Sequence, residues 1–164
     1  LKSINLKKLL KIKVNKKQIG SDRIANAIAV CKKNKNFIVI DFGTATTLDV
    51  IIHNIYLGGV IAPGVKLSLE TLISRATLIP RINLSKIKKV IGNNTKSAVQ
   101  SGFYWGYSGL ITSLIKLIIK QTSKSFDIIL TGGLAHLYKG ALNRKVKIDK
   151  DLTIKGLIKI LKFF

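Results

Sequence analysis

The stretch VIDFGTATTLDVII, residues 39–52, constrains this chain more than any other. An apolar run leads into Asp41, a bend of small residues follows, and a second apolar run leaves, which is the pattern of two strands joined by a tight turn. The bend Gly43-Thr44-Ala45-Thr46-Thr47 carries almost no side-chain bulk, so its backbone N–H groups and hydroxyls are free to face an anion. Concave rows of N–H groups cradle phosphate in many proteins. Asp41 has no partner of opposite charge in the motif, and a lone carboxylate beside a phosphate-facing turn is a natural cation site. The stretch reads as a nucleotide-handling turn, with a plain hairpin as the alternative.

Apolar runs at 37–42, 46–53 and 56–62, separated by short turns, predict an antiparallel meander of three strands. His53, near the edge of the second, reads as structural. Upstream, Ile24, Ala27, Ile28 and Cys31 recur at helical spacing, which predicts a helix over 20–33 that Gly20 and Ser21 can cap. Downstream, helices are expected at 65–76, with Leu67, Leu69, Leu72 and Ile73 turned inward, and at 95–120. A strand at 127–130 leads into a short helix over 134–142. The closing helix, 152–162, shows Ile154, Leu157, Ile158 and Leu161 on one face and Lys155, Lys159 and Lys162 on the other, with Asp149 and Asp151 at its start. The order βββ-α-α-β-α-α predicts an α/β fold, a mixed sheet with helices packed on it.

Charge has to be weighed against this reading. The 164 residues hold 29 Lys plus Arg against 7 Asp plus Glu, a formal net charge of +22, which suggests a polyanion partner. Yet the cations are nearly all lysines, scattered along the chain, and Ile, Asn and Lys are raised together, as A/T-rich codons would produce. No specific nucleic-acid partner is expected, only salt-sensitive sticking. Residues 97–115 are uncharged but too polar for a membrane span, so no membrane partner is expected either. The single Cys31 excludes an internal disulfide framework and fits a reducing, cytoplasmic compartment. The stretch LKSINLKKLLKIK, residues 1–13, reads as a cut helix rather than a signal peptide. With no methionine anywhere, the chain is expected to lack its true N-terminus.

Four further motifs carry unusual residues. GSDR, 20–23, places Asp22 and Arg23 in the first turn of a helix, where negative charge is favoured and where a guanidinium fork suits carboxylate or phosphate. GGVIAPG, 58–64, implies a backbone held close to something. IGNNTKS, 91–97, starts a helix with the Thr95 hydroxyl available. LTGGLA, 130–135, is a strand-to-helix turn whose glycines would let a flat group such as an adenine ring lie against the backbone.

With GSDRIANAIA, VIDFGTATTLDV, GGVIAPGVKLSLETL, LPR, KVIGNNTKSAVQSGFYWGY, TGGLA and DLTIKGL in this order, the chain resembles the type III pantothenate kinases of the acetate and sugar kinase/Hsp70/actin superfamily. The resemblance implies an actin-like ATPase domain, ribonuclease H-like, over residues 37–164. Residues 1–36 would then be the remnant of a first domain and the inter-domain helix. It implies transfer of the ATP γ-phosphoryl group to pantothenate, the first step towards coenzyme A. Gly20, Ser21, Asp22, Arg23 and Thr95 would contact pantothenate, with Asp22 accepting its hydroxyl proton. Gly43, Thr44, Thr131, Gly132 and Gly133 would contact ATP. Asp41 would hold a monovalent cation, potassium or ammonium, and a divalent cation, magnesium, would accompany ATP. The family is cytoplasmic and homodimeric. To this we add that Arg23 should pair with the pantothenate carboxylate.

The family's first strand carries an Asp-x-Gly-Asn-Thr motif that supplies the other half of the phosphate clamp, and this sequence has no such motif. The alternatives to a kinase are therefore a non-catalytic remnant or accessory regulatory protein of the same fold, and a basic nucleic-acid-binding module.

Overall fold

In the computed structural model, which describes residue 6 and residues 8–163, the three central apolar runs form the expected meander. These strands are β2 (Asn36–Phe42), β3 (Ala45–Ile52) and β4 (Ile55–Pro63), preceded by a two-residue β1 (Lys11–Ile12) and by α1 (Ser21–Val30). After them come α2 (Val65–Arg75), α3 (Thr95–Thr122), β5 (Asp127–Gly132), α4 (Ala135–Tyr138), β6 (Val146–Ile148) and α5 (Leu152–Leu161). The six strands make one mixed sheet in the order β1-β4-β3-β2-β5-β6. Pairing is antiparallel for β2–β3 and β3–β4 and parallel for β1–β4, β2–β5 and β5–β6.

Strand alternation divides the apolar residues between two layers of helix. Ile38, Ile40, Leu48, Val50, Ile128 and Leu130 face Tyr104, Ile111 and Ile115 of α3. Phe37, Val39, Ile51 and Ile129 face Ile24, Ala27 and Ile28 of α1 and Leu152 and Ile160 of α5. The same alternation puts Asp41, Thr47, Asp49 and Thr131 on the α1 side. The register agrees, pairing Asp41 with both Thr47 and Thr131, and Val39 with Asp49.

Four expectations need correction. In α5 the apolar stripe read on one face is not the face that docks: Ile154, Leu157, Ile158 and Leu161 are exposed, while Leu152, Gly156 and Ile160 are buried. The reason is close helix–helix approach, since a Cβ at Gly156 would collide with the Ala25 carbonyl oxygen of α1. Lys159, on the face opposite that stripe, donates to the Ile28 and Cys31 carbonyls at 2.9 and 3.2 Å, supplying positive charge at the C-terminus of α1. In α2 only Val65 and Leu69 are buried, and Leu67 and Leu72 are exposed.

The third correction concerns the region after β5, where the short helix covers only Ala135–Tyr138 and a strand, β6, intervenes before α5. Its three residues are too few for a periodic signal. The fourth concerns the N-terminal stretch read as a cut helix: Lys11–Ile12 is a strand paired with Ile55 and Tyr56, and residues 1–5 and 7 lie outside the described residues. Among the described residues no helix is long and apolar enough to cross a membrane.

Candidate active site

The parallel strands β2 and β5 end side by side at Asp41–Phe42 and Thr131–Gly132. The carboxyl ends of parallel strands are where α/β folds place ligands, because the following turns splay apart there. Over this edge lies the start of α1. Gly20 is its N-cap, and Asp22 sits exposed in the first turn with Oδ1 accepting the Arg23 N–H at 2.8 Å. A Cβ at residue 20 would collide with that oxygen, so glycine is required for this placement of the carboxylate.

One turn further along α1, Asn26 is wholly buried. Its Nδ2 donates to Asp41 Oδ2 at 3.0 Å, and its Oδ1 accepts from Thr153 Oγ1 of α5 at 2.7 Å. Asp41 is partly buried, and burial pushes its carboxyl up from the usual range. The Asn26 hydrogen bond opposes that rise, and the negative charges of Asp22 and Asp49 add to it. The Asn26 hydrogen bond thus ties α1, whose first turn carries Asp22, to the strand end that carries Asp41.

The other oxygen of Asp41 faces the glycine turns. Gly132 has φ +85°, and a Cβ there would lie 2.6 Å from both Asp41 Oδ1 and the Phe42 carbonyl oxygen. Only a glycine fits, on conformational and on steric grounds. Gly43 approaches the same oxygen, its Cβ position being 3.7 Å away. Gly133 is open, with nothing near its Cβ position. Thr131 is buried beneath the turn.

The expected row of free donors after Asp41 is only partly present. Gly43 and Thr44 are exposed, but the Gly43 N–H donates to the Ala45 carbonyl at 3.1 Å. The Thr46 and Thr47 hydroxyls are buried in the sheet. They belong to strand β3 rather than to the bend, so the donor surface narrows to Thr44 and its neighbours. The GGVIAPG segment accounts for its glycines here. Gly64 packs on the Thr44 carbonyl, and Gly59 packs on the Leu48 carbonyl with its Cβ position 3.0 Å from Arg23 Nη2.

Arg23 points into the sheet. Its Nε donates to Asp49 Oδ1 at 2.8 Å and its Nη2 lies 2.6 Å from the same oxygen, while Tyr56 OH donates to it at 2.6 Å. Asp49 is fully buried. Burial alone would lower the Arg23 pKa, but the hydrogen bond and charge of Asp49 outweigh it and the net direction is upward. Burial likewise pushes the Asp49 carboxyl up, against the pull of Arg23 and Tyr56.

Thr95 is exposed in the first turn of α3. That turn is built by a capping box in which Asn94 Oδ1 accepts the Ser97 N–H at 2.9 Å and Ser97 Oγ accepts the Asn94 N–H at 3.2 Å. Among the described residues no side-chain hydrogen bond joins Thr95 to Asp22 or Asp41. Sequence reasoning missed Asn26, Asp49, Tyr56 and Thr153. The available signal was polar residues at core positions of apolar runs, Asn26 within IANAIA and Asp49 within TLDVII.

A mixed sheet layered by helices on both faces, with a carboxylate and small-residue turn at the ends of its central strands, has the architecture of the actin-like fold. The family model for type III pantothenate kinase matches residues 1–117, and the chain belongs to that family. A type III pantothenate kinase of Pelagibacter ubique is 61% identical over 159 residues, covering 97% of this chain and 64% of that protein. One from Paramagnetospirillum magneticum is 45% identical over 145 residues, covering 87% and 56% respectively. The chain thus spans less than two thirds of the length of these curated relatives. Among solved structures, a conserved Baf family protein from Campylobacter jejuni, named for transcriptional activation, superposes with a TM-score of 0.70 at 24% identity, over 98% of this chain and 72% of that one. The Alp12 filament protein superposes with a TM-score of 0.56 at 19% identity, over 87% and 53%. These two likenesses bear on fold alone.

Proposed function

We propose that this chain carries the phosphoryl-transfer centre of a pantothenate kinase, moving the γ-phosphoryl group of ATP to the hydroxyl of pantothenate. The observation that carries the reading is the hydrogen bond from Asn26 to Asp41, which ties the helix whose first turn bears Asp22 to the end of β2. Family membership supplies the substrates.

In this reading residues 37–164 form the nucleotide domain and α1 brings the substrate groups to it. The pantothenate hydroxyl oxygen forms a bond to the γ-phosphorus while the bond from that phosphorus to the bridging oxygen of ADP breaks. Asp22 takes the hydroxyl proton. The transition state of such transfers is loose, so positioning and charge neutralisation dominate and a weakly basic carboxylate suffices. Gly20, Ser21 and Thr95 contact pantothenate. Gly43, Thr44, Thr131, Gly132 and Gly133 form the ATP side. Nη1 is the nitrogen of Arg23 not spent on Asp49, and it is left for the pantothenate carboxylate. An Arg23→Ala variant that kept its pantothenate affinity would remove Arg23 from the set.

The donor chemistry around Asp41 fits a hard monovalent cation, potassium or ammonium. Asp41 Oδ1 and the Phe42 carbonyl oxygen converge over Gly132 in a space that any Cβ would fill. Bound there, the ion would offset negative charge beside the phosphates. Among the described residues no three His, Cys, Asp or Glu side chains are grouped to hold a metal. In this reading a divalent ion is carried in on ATP, since magnesium leans on substrate phosphates more than on protein cages. A homodimer in the cytoplasm completes the proposal.

The test is ATP-dependent phosphorylation of pantothenate by this chain, with potassium and with potassium replaced by a bulky organic cation. Turnover that needs potassium, and that falls at least about 100-fold in Asp22→Asn, is expected. A folded chain that neither turns over nor binds ATP or pantothenate would refute it.

A further inference from the structure

We propose that Asn26 is a positioning residue for Asp41: braced by Thr153 of α5, its amide holds Asp41 Oδ2 and leaves Oδ1 turned to the glycine bends at Gly43 and Gly132. The functional consequence rests on the kinase reading above, but the geometry does not. Asparagine is a poor choice for the buried interior of a helix, both by propensity and because a buried amide left unsatisfied loses its water without replacement. Asn26 sits there wholly buried between Ile24 and Ile28. Both ends of its amide are spent, one on the candidate site and one on the neighbouring helix.

The orientation of that amide is forced. An ionised Asp41 only accepts, so the NH2 group must face it and the carbonyl must face the Thr153 hydroxyl. The three groups therefore form a directed relay from α5 through α1 to the strand end. Asp22 and Asn26 are four residues apart on one helix face, about 6 Å along the axis. A single turn of α1 thus sets the spacing between the proposed proton acceptor and the carboxylate of the proposed cation site. Gly156 lets α5 approach closely enough for Thr153 to reach, because a side chain there would strike the Ala25 carbonyl. A purely structural Asn26 would pin α1 to the sheet without governing the Asp41 carboxylate.

The experiment compares the ¹³C carboxyl chemical shift of Asp41 at one fixed pH in the whole chain and in Asn26→Ala, Thr153→Val and Thr153→Ser, with pantothenate phosphorylation measured on the same samples. The Asp41 carboxyl signal should move in Asn26→Ala, move less in Thr153→Val, and return to the parent position in Thr153→Ser. The turnover number should fall about 10- to 100-fold in Asn26→Ala, as for other residues that orient a ligand-bearing side chain, with KM for pantothenate unchanged. If Asn26→Ala fails to fold, Asn26→Leu keeps the volume without the donor. An Asp41 carboxyl signal that stays put in a folded Asn26 variant overturns the relay. A moved signal in a chain with no parental turnover keeps the relay and refutes the kinase reading.

Discussion

Arg23 of α1 and Asp49 of β3 form a nearly buried ion pair, with Nε at 2.8 Å and Nη2 at 2.6 Å from the same carboxylate oxygen. Tyr56 from β4 donates to that oxygen as well, so three elements meet on one atom. Asp49→Ala should cost about 3–5 kcal/mol, because it strands a guanidinium that is only 12% exposed. Asp49→Ala combined with Arg23→Ala should cost less than the sum of the single losses, with a coupling of about 0.5–3 kcal/mol. Urea denaturation of the four chains measures this, and strict additivity would deny the pair its structural role.

Asp41 predicts a pH dependence with a definite sign. Its carboxyl is pushed above the usual range by burial, so the folded state binds the proton more tightly than the unfolded state does. The favourable contribution is present below the unfolded-state value, about 4, and is lost as pH rises through the raised folded-state value. Asp41→Asn removes the buried charge while keeping an acceptor for Asn26. Its melting temperature should exceed that of the parent at pH 7, and the difference should shrink as pH falls towards 4. A difference that does not vary with pH would show that Asp41 is not the group responsible.

How legible this site was in the sequence depended on whether its residues lay at turns or inside elements. Asp22, Asp41, Gly43 and Gly132 stood out because their residue types break local pattern at element ends, where backbone conformation dictates composition. Asn26 and Asp49 sit inside apolar runs, and what gives them meaning is a partner 15 residues away for Asn26 and 26 residues away for Asp49. No local periodicity reports such a pairing. Arg23 shows the same limit: a guanidinium fork at a helix start was legible, but not that Asp49 engages it. The strands of the meander, by contrast, were placed within a residue or so at each end, because short turns and continuous apolar runs act locally.

Cys31 should be chemically quiet. It is buried at the end of α1 with its Sγ 3.5 Å from the Leu9 carbonyl, and burial pushes its thiol up to about 11, against the lowering effect of Lys159. At pH 8 the group is therefore a protonated thiol, and thiolate is the reactive form. Ellman's reagent should label the native chain far more slowly than the urea-unfolded chain. Equal rates would mean that α1 and α5 separate readily in solution.

Gly156 supplies the sharpest test of how α5 is held. The helix exposes four large apolar residues and docks through Leu152, Gly156 and Ile160, so its seat depends on backbone proximity to α1 more than on side-chain bulk. Gly156→Ala would ordinarily favour a helix by about 0.5–1 kcal/mol through propensity alone. Here the added methyl meets the Ala25 carbonyl, a backbone atom that cannot swing aside. Overpacking of this kind costs about 1–3 kcal/mol, so the clash wins and the substitution should destabilise the chain. The displacement would also draw Thr153 away from Asn26, so the Asp41 carboxyl signal should move in the same variant. A stabilised Gly156→Ala chain in urea denaturation would place α5 farther from α1 than the structure does.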